Sequence, residues 1–338
     1  MARDTIKYKL KQSLQNQEAF GRSKHQDKIQ TYQEREELKK QGASYYERLQ
    51  INHMKEHIYS YNTMLTYQRE VGKFGDWLID NGYRKISIEQ ATEHIQDYID
   101  YQAERGLSAW SVNTSLSAVC KATHTNVYDY ERPKRTISHI ERGNAPRKHD
   151  KLNEKNASHI LEANRLLGMR RSELKALKAS DIFTRNDKVI VKSLGKGGRY
   201  NEQIFTIPDE KKKVLALKIG KKEHEKIFQS SDFHNDADLH YERQLRSVDV
   251  YNRVVCDMKL NPECREYYKN EIHQIYSDRG RTLKENLDNP YAVRGANRQR
   301  LIAEGRETTY DRVALLYVSV TVLNHTRSDV TCAHYVSK

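Results

Sequence analysis

Leu323-Asn-His325-Thr-Arg-Ser-Asp-Val-Thr-Cys-Ala-His334-Tyr335 is the stretch on which the reading of this chain turns. It sets an imidazole ten positions ahead of a phenol and a second imidazole next to that phenol. A free phenol has a pKa of about 10 and is only about one part in a thousand ionised at neutral pH. A tyrosine therefore becomes a useful nucleophile only where its surroundings supply about 4 kcal/mol. The tail alone proves nothing. The rest of the chain must provide cations and proton carriers.

Cations are abundant. Of 338 residues, 59 are Lys or Arg against 46 Asp or Glu, a formal net charge of +13 spread along the whole length. Such an excess favours polyanionic partners, nucleic acid first, with binding that weakens as salt competes for the phosphates. No stretch approaches the ~20 apolar residues that a membrane span needs, so no membrane partner is expected. The first residues, Met-Ala-Arg-Asp-Thr-Ile-Lys, lack the apolar run of a secretory signal, which predicts a cytoplasmic protein. Cys120, Cys256, Cys264 and Cys332 have neither CxxC spacing nor disulfide density and read as reduced thiols.

The length suits two domains rather than one large core. Residues 1–58 are polar and charged, with Lys and Arg interspersed among Gln and Glu, and read as a loosely packed basic extension. From 59 the pattern becomes helical. Tyr67, Val71, Phe74 and Leu78 share one helix face, which Asn81-Gly82 ends. Ser87 and Gln90 have capping-box spacing ahead of a helix that turns Ala91, Ile95, Tyr98 and Ile99 inward. A third helix after Ser108 carries Val112, Leu116 and Val119. These predict a small helical bundle over 59–140. A Pro-, Gly- and cation-bearing linker follows at 141–151, then a second domain over 152–338. That domain opens with helices through Ile160, Leu161 and Leu167 and through Leu174 and Leu177. Two β-like runs, Lys188–Lys192 and Gln203–Ile207, then flank a Gly-rich turn. The expected fold is mainly α with a small β-hairpin or sheet.

Four further segments carry candidate chemistry. In Gly168-Met-Arg170-Arg-Ser-Glu173-Leu174, an arginine at a helix start can hold a phosphate oxygen with a planar, permanently charged fork, and Glu173 can orient it. In Gly195-Lys196-Gly-Gly198, glycines allow close approach to a phosphate backbone and Lys196 can protonate a leaving oxygen. Tyr291-Ala-Val-Arg294 offers a second phosphate clamp with a phenol beside it. In Asp232-Phe-His-Asn-Asp-Ala237-Asp-Leu-His240, acidic and imidazole groups alternate. Ala237 nevertheless stands where a calcium loop needs glycine and Arg243 where it needs glutamate, so a solvated loop is expected rather than a metal site.

Taken in order, Arg170, Lys196, Arg294, His325 and Tyr335 resemble the catalytic set of the tyrosine recombinase (phage-integrase) family. Residues 168–174 are similar to its Gly-Leu-Arg-x-Ser-Glu-Leu segment, and 323–326 to its Leu-Gly-His-Ser. Tyr291 stands where that family has the histidine of His-x-x-Arg, and His325 to Tyr335 is one position longer than the family spacing, a difference a loop can absorb. The resemblance covers roughly residues 59–338. It implies a two-domain, C-shaped clamp on duplex DNA, with a helical core-binding domain and a catalytic domain. The catalytic residues it implies are Arg170, Lys196, Tyr291, Arg294, His325 and Tyr335, with Tyr335 attacking the scissile phosphate to form a 3′-phosphotyrosine. Neither cofactor nor divalent metal is required. It further implies an integrase of a phage or other mobile element, acting on attachment or core sites as four protomers on two duplexes. The setting would be the nucleoid of a prokaryotic host, with room for an excisionase or DNA-bending accessory protein. With three residues beyond Tyr335, a C-terminal helix exchange between protomers has little chain to use. The competing readings are a relaxing type IB topoisomerase, which uses a similar set, and a non-catalytic DNA-binding protein of the same fold.

Overall fold

The computed structural model describes residues 4–136, 154–195, 199–233 and 237–337, with the side chains of 154–157 and 199 left aside. The chain divides into two compact units, Met1–Thr136 and Ile137–Lys338. Lys196 and the expected linker 141–151 lie outside the described residues.

In the first unit the helix Tyr61–Asp80 starts at Ser60, whose hydroxyl accepts from Thr63 N, and buries Val71, Phe74 and Leu78 completely. The helix Ala109–Thr123 brings Val112, Leu116 and Val119 into the same core. The region after Ser87 departs from the expected single helix. Its capping box forms, but the chain winds as Ile88–Thr92 and then Ile95–Glu104, with His94 between them. Ala91, Ile95, Tyr98 and Ile99 still point inward.

The expected loosely packed extension does not describe its own first helix. Ile6–Gln15 buries Ile6, Leu10 and Leu14, spaced i, i+4 and i+8, in the core of this unit. Lysines at 7, 9 and 11 hide that stripe in the sequence. The helix docks where Gly75 leaves room: a Cβ there would meet Lys7 Cα at 2.8 Å, a clash with backbone that cannot yield. Two buried polar side chains fix the register, as Ser13 Oγ donates to Ala122 O (2.6 Å) and Gln17 Nε2 donates to Lys121 O (2.8 Å). Only Lys24–Lys40 and Tyr45–Gln50 fit the expectation, since none of their apolar residues joins the core.

The first described element of the second unit is the helix Glu154–Leu167, followed by the short helix Arg171–Ala176. Three antiparallel strands, β1 (Ile182–Arg185), β2 (Lys188–Gly195) and β3 (Arg199–Phe205), pair in sequence order, with Ile182 opposite Val191 and Val191 opposite Gln203. The first strand was not anticipated. It is four residues long, and its turn, Asn186-Asp187, has both residues at positive φ, as tight hairpins favour. One apolar core lies against this sheet, around Leu167, Leu174, Ile182 and Val191. A second surrounds the helix Leu239–Leu260 and takes in Ile272, Leu315, Val318 and Tyr335. The helix Glu263–Asp278, a two-stranded pair of β4 (Tyr291–Ala292) with β5 (Thr309–Tyr310), and the helices Gly295–Ala303 and Arg312–Thr321 build that second core. The chain closes through Ser328–Thr331 into a π-helix, Cys332–Val336. The fold is mainly α with small antiparallel sheets, as the sequence predicts. Among the described residues, no helix is long and apolar enough to cross a membrane.

Candidate active site

A cleft of about 460 Å³ in the second unit is lined in part by Arg170, Arg171, His240 and Arg243. Local chain geometry creates its first wall. The helix Glu154–Leu167 stops at Gly168, which takes φ +62° and has no room for a side chain because a Cβ would meet Val322 Cγ1 at 2.8 Å. Two residues on, Arg170 is extended at the start of the next helix. The buried carboxylate of Glu173 accepts from Arg170 N (2.7 Å) and from Arg170 Nη1 (2.6 Å), so one acid fixes both the backbone and the fork of this arginine.

The second wall is the start of Leu239–Leu260, where Asp238 caps by accepting from Tyr241 N (2.9 Å). His240 and Arg243 stand three residues apart, on one helical face. Arg243 is buried; its guanidinium donates to Gly168 O and to Leu323 O (2.8 Å), and Nη1 lies 3.7 Å from Glu173 Oε2. Burial pulls its pKa down, while the neighbouring Tyr335 and Glu173 work against that shift. An arginine keeps its charge even so. Among the described residues, its buried Nε has no acceptor.

His325 enters from the end of Arg312–Thr321. Asn324 takes φ +51°, and His325 N donates to Ser319 O (2.7 Å). Its Nε2 lies 3.1 Å from Arg170 Nη2. A guanidinium can only donate, so Nε2 accepts and the imidazole is neutral, with its proton on Nδ1. Burial, then the charges of Arg243, Arg170 and His334, push the His325 pKa down to about 4. Tyr335 completes the group. Its buried ring lies 5.4 Å from the His240 ring and 6.1 Å from the His325 ring, centre to centre, with the Arg243 guanidinium 5.8 Å from its centroid.

Of the residues singled out from sequence, the structure thus brings Arg170, His325 and Tyr335 together. Tyr291 and Arg294 go elsewhere. Tyr291 pairs with Tyr310 in the β4–β5 ladder beneath the Arg312 guanidinium, and burial pushes its phenol up to about 12. Arg294 is exposed at the start of Gly295–Ala303. Among the described residues, no hydrogen bond, ion pair or ring contact joins either to Arg170, His325 or Tyr335. The arginine beside Tyr335 is Arg243 rather than Arg294, and His240-Tyr-Glu-Arg243 carries at the same spacing the histidine of His-x-x-Arg that 291–294 lacks. No described group of three or more His, Cys, Asp or Glu is arranged to hold a metal ion.

Residues 44–124 match the family model described as phage integrase, N-terminal SAM-like domain. Tyrosine recombinase XerD of Rickettsia conorii (strain ATCC VR-613 / Malish 7) is 28% identical over 185 residues, covering 46% of this chain and 57% of that protein. The chain is similar to tyrosine recombinases over about half of its length. A second, tyrosine recombinase XerD of Rickettsia bellii (strain RML369-C), is 28% identical over 181 residues, 45% of this chain and 56% of its own. The chain therefore spans a little over half the length of the curated tyrosine recombinases it matches. A solved structure of XerH site-specific recombinase bound to palindromic difH substrate aligns over 82% of this chain and 88% of its own, at 14% identity and a TM-score of 0.40. That overlap is too loose to bear on the arrangement of the site.

Proposed function

We propose that this chain is a site-specific DNA recombinase that breaks and rejoins duplex DNA through Tyr335. The observation that carries this reading is the gathering of Arg243, His240 and His325 around one buried tyrosine, with Arg170 bonded to His325 and Arg170, His240 and Arg243 lining a cleft. Arg170 and Arg243 hold the non-bridging oxygens of the scissile phosphate. Each well-aimed donor to the pentavalent phosphorane contributes about 3 kcal/mol. The Tyr335 oxygen forms its bond to phosphorus as the bond to the 5′ oxygen breaks, and the phenol proton passes to Nε2 of neutral His325, which is freed as the Arg170 fork turns to the phosphate. Lys196, next in sequence after β2, returns a proton to the leaving 5′ oxygen. The resulting 3′-phosphotyrosine conserves the ester, so resealing runs the same steps backwards without ATP.

In this reading, Glu173 ties the two arginines into one unit, and the net charge of +13 favours the DNA backbone. Integration or excision of a mobile element fits this chemistry, with attachment sites as substrates, four protomers on two duplexes, and an accessory bending protein. The test uses a nicked duplex built on the sequence that this protein selects from a random duplex pool. Wild type should trap a covalent protein–DNA adduct on a denaturing gel and Tyr335→Phe should not. Equal behaviour of the two would sink the proposal, and relaxation of a plasmid without regard to sequence would favour a topoisomerase.

A further inference from the structure

The short stretch between His325 and Tyr335 has to hold two reacting groups in register, yet its own capping is poor. Ser328–Thr331, the helix leading into the Tyr335 π turn, starts after Arg327, which makes no side-chain cap. The cap comes instead from Glu285, 43 residues earlier. Its carboxylate accepts from Ser328 N (3.0 Å) and from Ser328 Oγ, and is itself held by Arg312 Nη1 (2.9 Å). The same segment pins the preceding turn: Tyr276 OH donates to Thr326 O (2.8 Å) and Arg281 Nη1 donates to Thr326 Oγ1 (2.7 Å). From the other side, Ser319 O takes His325 N (2.7 Å), while Ser319 Oγ meets Thr331 Oγ1 (2.5 Å). His325 and the nucleophile helix are thus bolted to one frame, and Glu285 is the charged group that holds the helix start at Ser328.

We propose that Glu285 is a positioning residue for Tyr335, fixing the start of its helix so that the phenol reaches the phosphate held by Arg170 and Arg243. This rests on the recombinase reading above. Glu285 touches neither the phosphate nor the phenol; it acts through Ser328. A carboxylate suits the task because it accepts two bonds at once from a serine backbone and hydroxyl, and charge-assisted bonds are the stronger ones. Misplacing a nucleophile by about 1 Å costs about 100-fold in rate.

The test measures single-turnover adduct formation on the nicked duplex at saturating protein, beside DNA affinity and melting temperature. Glu285→Ala and Ser328→Ala should each slow the adduct about 10- to 100-fold with unchanged DNA affinity and an intact fold. Glu285→Gln keeps an acceptor for Ser328 N and should recover part of the rate. The slowing should persist when sulfur replaces the bridging 5′ oxygen, because a thiolate leaves without a proton donor and the missing element is the line of attack. Rescue by sulfur would reassign Glu285 to leaving-group protonation and overturn the proposal. An unchanged rate in both alanine variants would do the same, as would a matching collapse of folding and DNA affinity in both. Absence of any adduct from wild type would instead remove the recombinase reading itself.

Discussion

The guanidinium carbon of Arg243 lies 5.8 Å from the centre of the Tyr335 ring, and both side chains are buried. Arg243 is also the point where Gly168, Leu323 and Glu173 meet. Replacing it with lysine keeps a charge but loses the fork that reaches several partners. Arg243→Lys should lower the rate of adduct formation by about 10²- to 10³-fold, the range for removing one aimed donor. Arg294→Lys, at an exposed position outside the cluster, should leave the rate near wild type. A reversed outcome in single-turnover assays would return the second phosphate clamp to 291–294.

Glu173 holds Arg170 twice and approaches Arg243 at 3.7 Å. Glu173→Gln retains shape but removes the charge that orients two arginines. We expect adduct formation to fall about tenfold or more, as for partners that orient a reacting group. Glu173→Ala should also lower the denaturation midpoint, because it leaves the guanidinium of Arg243 buried without its counter-charge. Rates and urea melts on the two variants separate orientation from stability.

Neutral His325 makes a pH-dependent signature. Its folded pKa of about 4 lies below the usual imidazole value, so the unfolded chain binds a proton that the folded chain refuses between the two. Stability is untouched above the unfolded pKa and is lost as pH falls from there towards 4. The melting temperature of wild type should therefore drop more steeply in that window than that of His325→Gln. Proton-detected titration of the free protein should find one imidazole still neutral at pH 5. A His325 that titrates at its ordinary value would contradict the acceptor role of Nε2 towards Arg170.

The first helix should matter to the stability of the first unit. Leu10 is fully buried in its core, and Leu10→Ala should cost about 3 kcal/mol by the usual range for a large-to-small change. Lys7→Ala breaks only an exposed pair with Asp76 and should cost about 1 kcal/mol or less. Urea denaturation of the full chain can compare the two.

Much of this was legible because helices announce themselves through the spacing of apolar residues. Val71, Phe74 and Leu78, or Val112, Leu116 and Val119, reach the core as their periodicity requires. Arg170, His325 and Tyr335 were legible as types and order, since each sits next to an element boundary. What escaped detection shares a cause. His240 and Arg243 lie in a stretch whose acidic residues suggest a loop, while their partners arrive from positions 168, 173, 323 and 335. Only the His-x-x-Arg spacing marked them. Tyr291-x-x-Arg294 offered the right distance to an arginine, but nothing local could reveal that Tyr291 would enter a ladder with Tyr310. The Ile6, Leu10 and Leu14 stripe was masked by lysines that reach out along its flanks.

The π turn at Cys332–Val336 closes with Ser337 N–H on Cys332 C=O at 2.9 Å, a ring one residue larger than an ordinary helical turn. Such a turn swallows a residue without lengthening the path, so the additional position between His325 and Tyr335 need not push the phenol away from the imidazole. A wide turn of helix that carries the ring can take up that difference as a loop would. The interval between a histidine and its nucleophile is then no ruler. It counts beads on a coil whose pitch can change, and a relative with one bead fewer could present the same ring from a tighter winding.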